Sequence, residues 1–466
     1  MFINRQKEIE NFTEIYNRSS AQFVAVYGRR RIGKTALLTH WLDKCAKTPK
    51  VYWVAHRSSS KILLDDFSAA LAPCLGSDAG ALSFSTWDTL FNHLAKLSEK
   101  KRLVVVIDEF PYLLEAVPSL SSMLQSSWDH KLSKTKIMLV VCGSHYNMMR
   151  REFLLDTGPL FGRTTADMLV EEIEPKQLHY FLPKYSRTQI VETFSIIGGV
   201  PKYLEMWDDH KPVPKNIENL LLSSVTIFRQ EPMFLIQDEI PDVRTYMAIL
   251  DALGSGQSQP KLIGIKCGIP LPHVGKYLAT LLNLGFVKRN VSIDVSDPEN
   301  SRTTSYEIKD RFLRFYFAHI RPALPLLEQN RTGRVMEEIQ SKFPAYVAKS
   351  GFEEICRREI AVRGDRGELP FVPHYVGRIW NKKAEIDIAA IDNKSHSVLL
   401  GECKWTERPV GEEVLIELSA KTKHLPNLHT YKIHFALFSK SGFTAALNKK
   451  AAKDGVLLFS LGDITF

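Results

Sequence analysis

The chain has 466 residues, room for about three domains at the usual ~150 residues each, and is 44% hydrophobic and 24% charged. These values sit near globular averages and exclude a disordered chain, a collagen-like fibre and a low-complexity scaffold. The net charge of +9, from 61 Lys and Arg against 52 Asp and Glu, leans weakly toward an anionic partner and is equally compatible with a solubility surplus.

Residues 5–18 carry Ile9, Phe12 and Ile15 at helical spacing, which predicts an amphipathic helix. Phe23–Tyr27 is a continuous apolar strand. It runs into Gly28-Arg29-Arg30-Arg31-Ile32-Gly33-Lys34-Thr35, and Ala36–Leu42 continue as a helix. Further strands are expected at Val51–Val54, Leu103–Ile107, Ile137–Cys142 and Met168–Ile173. Uninterrupted apolar strands between helical stretches indicate a parallel sheet covered on both faces. From about 175 the pattern is helical, over Gln177–Tyr180, Thr188–Ile196 and Asn216–Leu235. Three short helical patterns follow in 243–290. The last, His273–Leu284, stops at Gly285, a natural helix terminator. Phe286–Val291 and Ser305–Ile308 then read as strands around a polar loop, the layout of a winged helix. Beyond 340 come a helix (Tyr346–Ile360), strands Phe371–Trp380, Ala384–Ile391 and Ser397–Trp405, and a helix Glu412–Lys423. Strand Lys432–Phe438, helix Thr444–Lys453 and strand Val456–Phe459 complete the order.

Six cysteines, Cys45, Cys74, Cys142, Cys267, Cys356 and Cys403, are spaced singly, with no C-x-x-C pair. They predict a reducing, cytoplasmic setting. No signal peptide is expected at the N-terminus. The longest apolar runs are strand length, so no membrane association is expected.

Gly28-x4-Gly33-Lys34-Thr35 is a complete phosphate-loop (Walker A) motif between a strand and a helix. Its glycines let backbone N–H groups curl around phosphates, and the helix N-terminus adds positive potential. Lys34 is expected to reach the β- and γ-phosphates of ATP, and Thr35 to ligate Mg²⁺. Residues 28–36, Ala36 included, form the expected nucleotide-binding stretch. Asp108 closes a buried strand and is the second expected Mg²⁺ partner, while Glu109 is placed to polarise the attacking water. Ser144, at the tip of the next strand, is a candidate sensor of the γ-phosphate.

The strings Tyr27–Thr35, Asp108-Glu109-Phe110-Pro111-Tyr112-Leu113, Cys142-Gly143-Ser144, Gly158–Arg163 and Gly198-Gly199-Val200-Pro201-Lys202-Tyr203-Leu204 resemble the archaeal-type ATPases of the STAND/AAA+ P-loop group. The resemblance covers essentially the whole chain. It implies that Arg163 is an arginine finger acting in a homo-oligomer, with a structural ion pair the alternative. It also implies that the Gly199/Pro201 segment lies in a helical lid that reads nucleotide state. Where relatives more often carry a small or hydroxyl residue, this chain has His145.

In the winged-helix pattern, His273, Lys276 and Thr280 occupy the outward face of the expected recognition helix. Lys261, Lys266, Lys288, Arg289 and Arg302 lie nearby as phosphate contacts for double-stranded DNA. A protein-docking role for the same module stays open. In the last stretch, Glu402 and Lys404 are two apart on one strand and share a face. Asp387 lies on the strand before, and Glu353 on the preceding helix. This acid, then D-x14-E-x-K, resembles the restriction-endonuclease-like PD-(D/E)xK fold, with Ile386 where the usual Pro stands. The resemblance implies that Asp387 and Glu402 hold Mg²⁺ against a scissile phosphate, that Glu353 adds a further acid, and that Lys404 acts on water and charge.

The expected fold class is α/β: a P-loop parallel-sheet ATPase core (1–174), helical lid (175–232), winged helix (233–330) and C-terminal restriction-endonuclease-like domain (331–466). Two functions follow. One is an Mg²⁺-dependent, nucleotide-gated, DNA-associated ATPase with a C-terminal nuclease. The other is a STAND-type signalling switch that docks a protein and carries an inactive nuclease-like domain.

Overall fold

The structure is a computed structural model. It describes residues 3–45, 48–75, 83–237, 239–240, 242–295, 297–301 and 304–465. The chain divides into two compact units, Met1–Glu172 with Val200–Lys202, and Ile173–Gly199 with Tyr203–Phe466.

The first unit is built on β1 (Gln22–Tyr27), β2 (Lys50–Val54), β3 (Leu103–Asp108), β4 (Ile137–Gly143) and β5 (Ala166–Leu169). The strands run in the order β2-β3-β4-β1-β5, every pair parallel. Every residue of β1, β3 and β4 is buried, as a sheet covered on both faces requires. Alternate side chains feed opposite layers. Phe23, Val105 and Leu139 pack against α3 (Ser60–Leu71), α4 (Trp87–Ser98), α5 (Phe110–Ala116) and α6 (Leu120–His130). Val24, Val26, Val106 and Val140 pack against α1 (Gln6–Asn17) and α2 (Lys34–Lys44). The α1 stripe Ile9, Phe12 and Ile15 is buried as its spacing predicts, with Phe12 stacked on Trp41 at 5.0 Å. A seventh helix, α7 (Tyr146–Phe153), follows β4. The fifth strand starts and ends earlier than the expected 168–173, because its apolar register is set by pairing with β1 from Val24 to Tyr27.

In the second unit, a helix at Arg187–Ile197 begins with a capping box between Ser186 and Gln189. Gly198 ends it at φ +65, and a Cβ on Gly199 would lie 1.9 Å from the Ile173 carbonyl oxygen. Both glycines of the Gly-Gly-Val-Pro turn are therefore required by backbone geometry. The expected long helix over 216–235 is broken into Val213–Asn216, a π-turn Ile217–Leu221, and Glu231–Gln237. Helices Arg244–Gly254, Pro260–Cys267 and Leu271–Asn283 precede antiparallel β6 (Val287–Val291) and β7 (Thr304–Ile308). The third helix closes in a Schellman arrangement: Phe286 N donates to Leu281 O at 3.0 Å, with Gly285 at φ +71.

The C-terminal sheet holds β8 (Tyr375–Trp380), β9 (Glu385–Asp392), β10 (Ser397–Lys404), β11 (Lys432–Ser439) and β12 (Leu457–Ser460), in the order β12-β11-β10-β9-β8. β8-β9-β10 is an antiparallel meander; β10, β11 and β12 are parallel. Strand β8 starts at Tyr375 rather than Phe371, because Pro373 has no N–H for a ladder and packs instead over Gly364. The expected helix at 346–360 is a π-turn, Ala348–Phe352, continued by Glu353–Asp365. Gly351 sits there because a Cβ would fall 1.9 Å from Ser195 Oγ. The end of the β6–β7 hairpin region joins this sheet: Ile293 N donates to Arg378 O at 3.2 Å, and Trp380 N to Ser292 Oγ at 3.1 Å.

Candidate nucleotide and carboxylate sites

The loop between β1 and α2 is shaped by residues with positive φ: Gly28 (+157), Arg31 (+66) and Gly33 (+91). At Gly28 a Cβ would meet Val170 O at 2.5 Å, so only glycine brings the chain this close to its neighbour. Helix α2 starts at Lys34 with Gly33 as its cap and no side chain on its first-turn N–H groups. That end is the anion-binding end of a helix. The Lys34 ammonium is buried and donates to the carbonyls of Gly28 at 2.9 Å and Arg29 at 3.1 Å. It therefore sits inside the loop's curl, while Arg29 pairs with Glu172 at 3.4 Å. Ile32 is buried, and Thr35 and Ala36 are exposed at the mouth.

The loop is also held from behind by a residue that the motif does not contain. Buried Arg5 donates to Ile32 O at 3.0 Å and Glu171 O at 2.6 Å, and pairs with Glu8 at 2.9 Å. Its sequence distance from both carbonyls hides this contact from motif reading.

Asp108, buried at the end of β3, accepts the Thr35 hydroxyl at 2.7 Å and the Tyr52 hydroxyl at 2.6 Å, both on Oδ2. Burial and the Asp108 carboxylate hold the Tyr52 phenol well above its usual range, so it remains a donor. Tyr52, on β2, was invisible in the sequence because nothing marks which strand residue meets the acid. Glu109 takes a left-handed backbone, φ +51, an uncommon state for a non-glycine residue. This turns its carboxylate toward β4, where Ser144 Oγ lies 2.8 and 3.1 Å from its two oxygens and Ser144 N at 3.4 Å. Ser144, expected to sense phosphate, is thus brought onto Glu109. The set fits an ATP–Mg²⁺ group: a hydroxyl and a carboxylate side by side are the oxygen donors that suit Mg²⁺, so Thr35 and Asp108 would hold it. The ion supplies charge neutralisation on the phosphates when bound.

Arg163 does not reach this constellation in its own chain. Its guanidinium pairs with Asp129 at 3.0 Å and donates to Phe161 O at 3.0 Å. His145 packs edge-on to Tyr112 at 5.4 Å, with Nδ1 3.9 Å from Glu115.

In the C-terminal sheet, Asp387 and Glu402 lie on adjacent antiparallel strands, and Asp387 Oδ2 accepts Cys403 N at 2.9 Å. Lys404 Nζ lies 2.9 Å from Glu402 Oε1. Lys421, absent from the sequence reading, lies 2.8 Å from Oε2. Arg357 donates to Glu353 at 3.3 Å and to Asp387 O at 2.7 Å, so all four expected residues gather with two further cations. Burial, then the Asp387 charge, pushes Glu353 up to about 7. Burial, then the Glu402 charge, pushes Asp387 up to about 6. Burial pulls Lys404 down, but its hydrogen bond and charge contact with Glu402 outweigh this and raise it. Among the described residues no three or more His, Cys, Asp or Glu side chains form a ready metal cage. Mg²⁺ is ordinarily bound through one or two carboxylates, and Asp387 and Glu402 are donors of that kind, with both Glu402 oxygens engaged by ammonium groups.

The Leu271–Asn283 helix buries Val274, Leu278 and Leu281 and exposes His273 and Lys276, with Thr280 half-buried. Two expected phosphate contacts are engaged elsewhere. Lys288 pairs with Glu307 at 2.9 Å, and Arg289 donates to Glu299 O at 3.1 Å. Lys266 hydrogen-bonds Ser255, and Arg302 lies outside the described residues. Exposed apolar side chains stand beside this basic face: Leu262, Ile265 and Leu271, at 41, 70 and 53% exposure.

Residues 2–207 match a family described as an ATPase domain predominantly from Archaea. Residues 316–421 match a family described as archaeal and bacterial proteins of unknown function. An uncharacterized protein of Methanocaldococcus jannaschii is 28% identical over 473 residues, spanning 100% of both chains. A second protein of that organism, described as ATP-binding, is 42% identical over 43 residues, 9% of this chain and 73% of its own length. Among solved structures, a Walker-type ATPase of Pyrococcus abyssi superposes with a TM-score of 0.52 at 16% identity, over 68% of this chain and 96% of that one. The last likeness is one of fold. The chain thus carries an archaeal-type ATPase domain on a parallel P-loop sheet and a separate C-terminal α/β sheet domain. Among the described residues no helix is long and apolar enough to cross a membrane.

Proposed function

We propose that the chain is an Mg²⁺-dependent ATP-binding and hydrolysing protein, nucleotide-gated and DNA-associated, with a metal-dependent nuclease centre in its C-terminal domain. The observation that carries the ATPase part is the convergence of Lys34, Thr35, Asp108 and Glu109 at the carboxyl ends of β1 and β3. Lys34 neutralises phosphate charge, Thr35 and Asp108 hold the ion, and Glu109 draws a proton from the attacking water. The expected outcome is that Lys34→Ala abolishes or severely weakens nucleotide binding, and that Glu109→Gln binds ATP and fails to release phosphate. Equal phosphate release by Glu109→Gln and the unaltered protein overturns the role of Glu109.

The nuclease reading is supported by the gathering of Glu353, Asp387, Glu402 and Lys404 on one face of the second sheet. Asp387 and Glu402 would hold the ion, which supplies Lewis acidity at the phosphate when bound. Lys404 stabilises charge there, and Glu353 is a further acid. Of the gating path, the step from lid to C-terminal domain draws on Arg187, at the start of the 187–197 helix. It donates to the carbonyls of Leu461, Gly462 and Ile464 at 3.1, 2.7 and 3.1 Å, tying the lid to the C-terminal tail. The winged helix, with His273 and Lys276 outward, is the DNA-contacting element, and Arg163 acts on the nucleotide of a neighbouring copy in a homo-oligomer. Incubation of plasmid and linear DNA with Mg²⁺ or Mn²⁺, with and without ATP, tests this. Cutting lost on Asp387→Ala and Glu402→Ala is the expected result.

The second reading, a STAND-type switch that docks a protein and carries an inactive nuclease-like domain, draws on Leu262, Ile265 and Leu271. Such exposed side chains suit a protein partner better than a phosphate backbone. DNA binding that weakens steeply with salt favours the first reading; its absence, with no cutting under any condition, favours the second.

A further inference from the structure

Glu402 is nearly buried, and each of its carboxylate oxygens holds a different ammonium: Lys404 on Oε1 and Lys421 on Oε2. Lys404 reaches it from the same strand. Lys421 reaches it from the last residue of the Glu412–Lys421 helix, where Val414 and Leu418 are buried on the same stripe. The spacing 414, 418, 421 turns the Lys421 stem inward with the core side chains. The C-terminal end of that helix favours a cation. Lys421 also lies close enough to Asp387 to stabilise its charged form. With Arg357 on Glu353 and on the Asp387 carbonyl, three acids face three cations.

We propose that Lys421 is a second lysine of this site, a phosphate-gripping residue that competes with the divalent ion for Glu402. The inference rests on the nuclease reading. A divalent cation binding Glu402 competes with the two ammonium groups for its oxygens, and Lys421, which comes from the helix rather than from the strand, is the one placed to move aside. The displaced ammonium remains on the site's face, tethered by a helix, and its counter-charge becomes the phosphate of the substrate. Lys421 therefore weakens metal binding in the free protein and strengthens binding of a nucleic-acid phosphate once metal is present. A lysine that only braces the helix on the sheet still opposes the ion but makes no phosphate contact, so it leaves the salt dependence of nucleic-acid binding unchanged.

The test uses the full chain and two probes, Mn²⁺ by calorimetry and a short DNA duplex titrated across salt in Ca²⁺. Lys421→Gln keeps most of the stem and removes the charge. It should bind Mn²⁺ about three- to tenfold more tightly, because a like charge has left the ion's surroundings. The slope of log K against log salt for the duplex should fall by about 0.9, one phosphate contact. Lys421→Arg should restore the slope. An unchanged slope in Lys421→Gln overturns the proposal, and so does an unchanged Mn²⁺ affinity. So does weakened Mn²⁺ binding accompanied by a lowered melting temperature, which marks a brace. In each case Mn²⁺ binding that is lost in Glu402→Ala leaves the nuclease reading standing. If the unaltered chain shows no Glu402-dependent Mn²⁺ binding, both readings fall together.

Discussion

Replacing Ser144 by alanine separates two roles for the residue at the tip of β4. The hydroxyl is buried and lies 2.8 and 3.1 Å from the two oxygens of Glu109, while the backbone N–H at 3.4 Å is a long contact that remains after substitution. A hydrogen bond to a charged group is worth about 1.5–3 kcal/mol. If that energy fixes the carboxylate where it meets the attacking water, its loss lowers kcat about 10- to 100-fold, at ~1.4 kcal/mol per factor of ten. Nucleotide affinity should stay within about twofold, because no phosphate-cradling group is altered. Phosphate release at saturating ATP gives the first quantity, and titration with a fluorescent nucleotide gives the second. A Ser144→Ala protein with intact kcat and an affinity reduced by that factor would falsify the positioning role and return the hydroxyl to the nucleotide itself.

Tyr52→Phe removes one of the two hydroxyls that fix the orientation of the Asp108 carboxylate, so Mg²⁺ dependence of ATP hydrolysis should shift to higher Mg²⁺, read as a raised half-saturation point; no shift, or a shift to lower Mg²⁺, means the phenol does not orient the acid. Arg5→Met deletes two charge-assisted bonds to carbonyls, a loss on the order of 3 kcal/mol. It should lower the melting temperature in the absence of nucleotide, and an unchanged melt would show that the buried guanidinium is idle. His319, packed against Phe315 and Tyr346, is held down at about 4 by burial and then by Lys342. Its folded state binds fewer protons than the unfolded chain between about pH 4 and 6.5, so this stability is present above that window and lost as pH falls through it. His319→Gln should flatten the denaturation midpoint across the window, and an undiminished slope would assign it to other groups.

The parallel sheet and its phosphate loop were legible because each strand is a run of apolar residues ending in a chemically marked turn. Asp108 and Glu109 could be read from their place after such a run. The flanking helices α3 and α4 carried a signal too, in Leu63, Leu64, Phe67 and Leu71 and in the Thr86 cap, but their polar faces dilute it beside the strands. What escaped was contact at long range. Arg5 meets a carbonyl 166 residues away, Tyr52 meets an acid 56 away, and Lys421 meets one 19 away. No local periodicity encodes such meetings; the fold's topology creates them. Lys288 and Arg289 show the same limit from the other side: read as phosphate contacts from their charge alone, they have partners in Glu307 and a carbonyl that the hairpin brings alongside.

The junction at Ser292 and Ile293 bears on where this protein can be divided. Strand β8 is the last of its sheet, and an uncovered outer strand is a template for the next molecule. Ile293 occupies part of that rim through its bond to Arg378, and its side chain fills the space over Gly377, where a Cβ would come within 2.4 Å. A fragment starting at 331 would leave this cover behind and bare the rim beside Tyr375, itself 58% exposed. Such a fragment should self-associate, whereas one starting before the β6–β7 hairpin should stay dispersed. The unit that can be cut out intact is then hairpin plus sheet, because the outer rim of β8 is finished by residues that lie before 331 in the chain.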